Sequence, residues 1–325
     1  MVAAVRVHKA GGPEVLTFED VEIPAPGPGQ IRVKQGAAGI NFIDVYFRNG
    51  AYPPPNGYPF IAGNEGSGDV TAVGSGVTDI KVGDRIAAVF PFGGYAAERL
   101  VPADRAVKVP ANISHQQAAG MMLKGLTAQY LVRRTHKVQK GDTVLMHAAA
   151  GGVGLILCQW AAHLGATVIG TVGTEEKAEL AKAHGCAHPI VYSEQDFVAE
   201  VSRITNGEKL PVVYDSVGRD TFMRSLDCLK VRGLMVSFGN ASGPVEPFSP
   251  LVLSQKGSLY LTRPTLVHYV TSREQLENSA KELFEVVAKG KVKIEVQQRF
   301  ALKDAAEAHR ALQARETTGS TILTI

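Results

Sequence analysis

The chain has few cysteines, one tryptophan and little net charge. Its 325 residues include three cysteines, Cys158, Cys186 and Cys228, odd in number and widely spaced. That pattern fits neither a disulfide framework nor a C-x-x-C metal clip, and it points to a reducing compartment. With 34 basic and 31 acidic side chains the formal charge is +3. So small a bias argues against a nucleic-acid partner, which usually meets basic charge concentrated on one face. No segment reaches the roughly 20 uninterrupted apolar residues needed to span a bilayer. The opening "MVAAVRVHKAGG" lacks the apolar run of a secretory leader. These absences describe a cytoplasmic protein with neither a membrane nor a nucleic acid as partner.

What is present is the composition of a globular chain, 45% hydrophobic and 20% charged, with length enough for two domains. Up to about residue 125 it is rich in Gly and Pro. "IRVKQGAAGI", "GDVTAVGSG", "DRIAAVF" and "RAVKVP" read as short strands joined by turns such as "APGPGQ" and "YPPPNGYP". From about 140 the rhythm becomes strand, helix, strand. "DTVLMHA", "TVIGTV", "HPIVYS", "PVVYDSV", "LMVSFGN" and "SLYLTRP" are the candidate strands. The helical stretches between the first five are expected to stop at Gly165, Gly185, Gly207 and Gly233. Such alternation implies a parallel sheet with helices on both faces. The tail after Pro264 is too short to stand alone and is expected to pack on the first domain.

"HAAAGGVGLILCQW", residues 147 to 160, lies at the junction of the first of these strands and its helix. It follows G-x-G-x-x-G with Ala149 in the first glycine slot. Gly151 stands where backbone must approach a pyrophosphate, and Gly154 where helix must press on strand. The amides of Ala150, Gly151, Gly152 and Val153 are then presented to phosphates at a helix N-terminus. The turn therefore predicts a dinucleotide site. About 20 residues on, an acid would mark NAD by bonding the ribose 2′-hydroxyl. The chain has Gly173 there, followed by Thr174 and Lys177, leaving room and a cation for a 2′-phosphate. NADPH is the expected cofactor. Glu175 and Glu176 are explained as acids favoured at a helix N-terminus, and His147 as a packed histidine.

"GINFIDVYFRNGAYP", "GNEGSGDVTAVGSGV", "VGDRIAAV", "LKGLTAQYL", "HAAAGGVG", "VVYDSVG", "MVSFGN" and "LTRP" together resemble the medium-chain dehydrogenase/reductase superfamily along essentially the whole chain. The likeness is to its zinc-free, zeta-crystallin-like quinone oxidoreductase branch. It implies an α/β protein with a Rossmann doubly wound parallel sheet domain, residues 126–264. A GroES-like β-barrel catalytic domain, residues 1–125 and 265–325, makes up the rest. Zinc-dependent members hold their metal with Cys, His and Cys or Glu. In similar contexts this chain carries Asn41, Asn64 and the run Met121, Met122, Leu123 and Lys124. Amides are poor zinc ligands, so no zinc site is expected.

Without a Lewis acid the chemistry shifts from alcohols to acceptors that carry their own electron sink. The resemblance implies hydride transfer from NADPH to a quinone. Reduction of conjugated enones or alkenals is the alternative, and an RNA-binding or crystallin-like structural role a third reading. It further implies that Asn41, Asp44, Tyr46 and Tyr52 line the acceptor pocket, with Asp44 a structural hydrogen-bond acceptor rather than a general base. Asn41 is also expected to touch cofactor. Thr127, Tyr130 and Arg263 are assigned to the nicotinamide side, Tyr192 to the adenosine side, and Arg315 to the 2′-phosphate. Ser216, Val217, Phe238, Gly239 and Asn240 end two parallel strands and would border the ligand crevice. Glu65 and Asp84 are expected to serve structure. A homodimer pairing through the edge strand "GSLYLTRP" is also implied.

Overall fold

The computed structural model describes residues 1–90 and 92–325. It divides into two compact units. One comprises Met1–Lys124, Val270–Ala288 and Ile294–Ile325, the other Gly125–Tyr269 with Lys289–Lys293.

In chain order the first segment supplies strands β1 (Val2–Val7), β2 (Leu16–Val21) and β3 (Gln30–Ile40), then helix α1 (Phe42–Arg48). Strands β4 (Phe60–Ile61), β5 (Glu65–Val73), β6 (Arg85–Val89), β7 (Glu98–Pro102) and β8 (Ala106–Lys108) follow, and then helix α2 (His115–Tyr130). The second unit has strands β9 (Thr143–His147), β10 (Thr167–Val172), β11 (His188–Val191), β12 (Leu210–Asp215), β13 (Leu229–Ser237) and β14 (Tyr260–Thr262). Its helices are α3 (Gly152–His163), α4 (Glu175–Ala183), α5 (Phe197–Ile204), α6 (Phe222–Ser225) and α7 (Leu251–Gln255). Helix α8 (Arg273–Ala288), β15 (Val296–Ala301), helix α9 (Ala305–Gln313) and β16 (Ser320–Thr324) complete the first unit.

Among the described residues the first unit forms a small sheet, β2-β1-β4, and a larger one ordered β15-β16-β3-β5-β6-β8, which β7 joins through β3. Alternation in "IRVKQ" sets Ile31 and Val33 on a buried face. There they pack with Val70, Ile86 and Val101 from β5, β6 and β7, as period-two patterning requires. The tail returns as β16, antiparallel to β3 with Thr321 opposite Ile40.

The second unit is a six-stranded parallel sheet ordered β11-β10-β9-β12-β13-β14. Chain order reverses between β9 and β12, the point at which doubly wound sheets open their ligand crevice. Val144, Leu145 and Met146 of β9 are buried, as expected for a strand covered on both faces. Helix α3 is apolar nearly all round and buries Leu155, Ile156, Leu157, Cys158 and Trp160. The sequence reading holds for three of the four helix stops. Gly165, Gly185 and Gly207 all take positive φ just past α3, α4 and α5. Gly233 departs from it, because it lies inside β13. The register of β13 against β12 shifts between Leu210 and Val212, and Arg232 bulges out at φ 60° to donate its N–H to Gly257 O. Gly233 therefore marks a strand irregularity and not a helix end.

Candidate active site

The glycine turn connects β9 to α3 as the sequence predicts. Gly151 is the N-cap, with φ −78°, and no side chain caps the helix. The first-turn amides are thus left for a ligand. The two motif glycines are small for different reasons. A Cβ on Gly154 would sit 2.3 Å from Ala148 O and 2.6 Å from Ala149 O, both backbone, so this glycine serves helix–strand packing. A Cβ on Gly151 would meet only Ala148 O, at 3.2 Å. With ordinary φ and one neighbour that need give by only a few tenths of an ångström, Gly151 is far less crowded from within than Gly154. A pyrophosphate fits this cradle. Ala148, before the turn, carries the positive φ of 56°.

At the end of β10 the structure brings together Gly173, Thr174, Lys177 and Tyr192. Thr174 caps α4, its hydroxyl accepting the Lys177 N–H at 3.3 Å. The Glu176 carboxylate is held below its ordinary range by the Thr174 hydroxyl and its own backbone, in keeping with a helix N-terminus. Tyr192 N–H donates to Val172 O at 3.1 Å, and its phenol oxygen would lie 3.0 Å from a Cβ on Gly173. Arg315, also expected at the phosphate, belongs to the first unit, after α9, with φ 62°.

The ends of β12 and β13 are laced together. Asp215, fully buried, accepts the N–H groups of Val217 at 2.7 Å and Gly218 at 3.1 Å, and the Thr221 hydroxyl at 2.9 Å. Phe238 N–H donates to Asp215 O, and Ser242 N–H to Val217 O, both at 2.8 Å. A Cβ on Gly239 would lie 2.5 Å from Ser216 O. Ser216, Val217, Phe238, Gly239 and Asn240 thus form one rim. Arg263, just past β14, donates to Ser237 O at 3.1 Å. Thr127 and Tyr130 are buried on α2. The Tyr130 ring stacks on Tyr269 at 4.3 Å, and burial, then the neighbouring Tyr269, push its hydroxyl pKa up. His147 is a packed histidine. It is fully buried between Thr171 and Ser225, 2.8 Å from each hydroxyl, and burial lowers its pKa.

In the first unit Asn41 precedes α1 and Asp44 sits in its first turn. The Asn41 N–H donates to Asp44 Oδ2 at 2.8 Å, one half of a capping box. Asp44 Oδ1 accepts from Asn64 Nδ2 at 2.7 Å, and Oδ2 also accepts from the Tyr95 hydroxyl at 3.1 Å. Three donors thus converge on Asp44. Burial outweighs those donors and raises its pKa to about 6, with Glu65 adding to the rise. The direction of the chain beyond is fixed by donor chemistry. Arg48 can only donate, at 3.1 Å, to His309 Nδ1. His309 Nε2 then carries the proton and faces Tyr95, 3.0 Å away, whose hydroxyl donates to Asp44. Burial and Arg48 push the His309 pKa down to about 3, so the ring is neutral.

Asn41 and Asn64, with Lys124, fill the positions compared above with zinc ligands. Asn41 Nδ2 donates to Glu65 Oε1 at 2.8 Å, Lys124 Nζ lies 3.1 Å from the same oxygen, and Leu123 N–H donates to Oε2 at 2.6 Å. Glu65 is wholly buried and the Lys124 side chain only 7% exposed. Amide oxygens are poor zinc ligands beside thiolate, imidazole or carboxylate, and an ammonium has no lone pair to give. Among the described residues no group of three His, Cys, Asp or Glu side chains is placed to hold one. Asp84 accepts the Lys81 N–H at 3.0 Å and pairs with Lys108 at 2.9 Å, the turn role expected of it. Tyr46 and Tyr52 meet edge to face at 5.2 Å. Sequence reasoning missed Tyr95, His309 and Tyr269 and noted Lys124 only as a non-ligand. A lysine inside the apolar run "AAGMMLKGLTA" was the available signal, since lysine is seldom buried without a partner.

Residues 27–138 match the alcohol dehydrogenase GroES-like domain family and residues 152–288 the zinc-binding dehydrogenase family. A quinone oxidoreductase of Pseudomonas aeruginosa is 52% identical over 99% of both chains. A 2-haloacrylate reductase of a Burkholderia species is 47% identical, again over 99% of each. The crystal structure of Escherichia coli quinone oxidoreductase complexed with NADPH superposes with a TM-score of 0.97 at 50% identity, covering 99% of this chain and 100% of that one. The chain belongs to the zinc-independent quinone oxidoreductases of the medium-chain dehydrogenase/reductase superfamily.

Proposed function

We propose that the protein reduces quinones with NADPH, without a metal. The observation that carries this reading is the pairing of a phosphate cradle at Gly151 with a zinc-site position filled by Asn41, Asn64 and Lys124. The E. coli enzyme that the chain resembles was crystallised with NADPH. Bound cofactor supplies the hydride. The protein's part is to hold and to screen. Amides of Ala150, Gly151, Gly152 and Val153 receive the pyrophosphate. Gly173 leaves space for a 2′-phosphate, Lys177 neutralises it, and Tyr192 flanks the adenosine. Thr127, Tyr130 and Arg263 serve the nicotinamide end, and the Ser216–Val217 and Phe238–Asn240 rim borders the crevice. Asn41, with one amide hydrogen bound to Glu65, keeps a second to donate to the acceptor oxygen that gains charge. Tyr46 and Tyr52 supply aromatic walls.

The division of labour assigns cofactor binding to the second unit and acceptor chemistry to the first. We also assign the protein to the cytoplasm and to a homodimer. No helix among the described residues is long and apolar enough to cross a membrane. The edge strand β14 exposes Tyr260 and Leu261.

A second reading, reduction of conjugated carbon–carbon double bonds, is favoured by the 2-haloacrylate reductase relative. Steady-state NADPH oxidation with a simple quinone and with a 2-alkenal separates the two. The quinone should have the higher kcat/KM, and Asn41→Ala should lower its kcat by roughly 10-fold or more. A higher kcat/KM for the alkenal would establish the second reading, and unchanged kinetics in Asn41→Ala would remove that residue from the site.

A further inference from the structure

We infer that Glu65 and Lys124 are positioning residues of the acceptor site: Glu65 fixes which way the Asn41 amide faces, and Lys124 cancels the charge that this anchor would otherwise place beside it. The inference rests on the acceptor role proposed for Asn41.

A carboxylate can only accept, so Glu65 Oε1 selects Nδ2 of Asn41 and forbids the flipped amide. The other oxygen is held by the Leu123 N–H at 2.6 Å, so the anchor cannot rotate. The fold makes room for it at Gly39 of β3, where a Cβ would lie 2.1 Å from Glu65 Oε1 and 2.2 Å from Ala119 O. Such an anchor has an electrostatic cost. A bare carboxylate behind Asn41 would repel the negative charge that hydride transfer builds on the acceptor oxygen. Lys124 Nζ, 3.1 Å from the same Oε1, removes that field while leaving the hydrogen bond in place. Other charged or titratable groups near Glu65 are Asp44, Tyr95 and Arg99. Asp44 deepens the negative field and Arg99 opposes it, so Lys124 is the cation in direct contact. A buried ion pair is weak evidence for stability, since apolar residues of similar volume often serve as well. Its place against Asn41 gives this one a reason to be ionic.

The test uses the full-length protein, NADPH and a simple quinone, with Lys124→Met and the double variant Glu65→Gln/Lys124→Met. Lys124→Met should lower kcat roughly 10- to 100-fold, with NADPH affinity by fluorescence titration within about twofold. Its isotope effect with 4-deuterated NADPH should rise, because hydride transfer becomes the slow step. The double variant, with a neutral amide that still accepts from Asn41, should recover most of the lost turnover. That rescue also covers the case in which Lys124→Met alone fails to fold. Wild-type kcat in a folded Lys124→Met, or a folded double variant as slow as Asn41→Ala, overturns the inference. If Asn41→Ala itself is fully active, the acceptor reading fails instead, so the two failures are distinguishable.

Discussion

Asp44→Asn tests the electrostatic account of the first unit. Burial raises the Asp44 pKa from an ordinary 3.8 to about 6 despite three donors. The folded protein therefore holds this proton more tightly than the unfolded chain. The stability gained from protonation is fully present below pH 3.8 and is lost as pH rises through about 6. Roughly two pKa units correspond to about 3 kcal/mol in total, of which about 2 kcal/mol should disappear between pH 4.5 and 7.5. Asparagine keeps an acceptor and cannot ionise. Urea denaturation of wild type and Asp44→Asn at both pH values, compared as a difference, isolates this group from all other titrations. The wild type should lose about 2 kcal/mol relative to the variant on going to pH 7.5. A constant difference would show that the three hydrogen bonds to Asp44 fully offset its burial, and one of opposite sign that they outweigh it; either refutes the account.

Three further outcomes follow from the second unit. Lys177→Ala should weaken NADPH binding by roughly 10- to 100-fold, the worth of a charged hydrogen bond, and leave NADH nearly unaffected; isothermal titration with both nucleotides decides it, and equal losses refute the phosphate role. Gly154→Ala pushes a methyl into the oxygens of Ala148 and Ala149, so the thermal midpoint should drop by the equivalent of about 1–3 kcal/mol or more; differential scanning calorimetry showing no shift would mean that the turn relaxes freely. Leu261→Lys places a charge on the exposed edge of β14, and on the homodimer proposed above sedimentation velocity should read a dimer for wild type and a monomer for the variant; the same mass for both would move the interface elsewhere.

The parts of the protein legible in its sequence are those whose causes are local. The β9–turn–α3 motif, the acids in the first turn of α4 and the glycine stops after α3, α4 and α5 are each fixed by residues a few positions apart. The strand alternation in "IRVKQ" is equally short-range. Gly233 misled because a glycine at a bulge and a glycine at a helix end look alike without knowledge of Gly257, whose carbonyl accepts the Arg232 N–H. The β1 and β2 strands, "VAAVRV" and "LTFEDV", alternate only weakly between apolar and polar residues, and their antiparallel pairing with each other makes them recognisable. The buried polar chain was the least accessible. Arg48 meets His309 across 261 positions and Glu65 meets Lys124 across 59, distances over which no periodicity operates. Burial, which turns such contacts from incidental into obligatory, is a property of the fold as a whole.

The close approach of Tyr192 to Gly173 bears on redesign. An aspartate introduced at 173 to favour the unphosphorylated nucleotide would not strike rigid backbone there, only the far end of a half-exposed phenol. The ring would swing aside, so one substitution would change two surfaces at once, adding the acid and withdrawing the aromatic flank. On the cofactor site proposed above, an engineered switch of coenzyme therefore has to vary positions 173 and 192 together, beside Lys177.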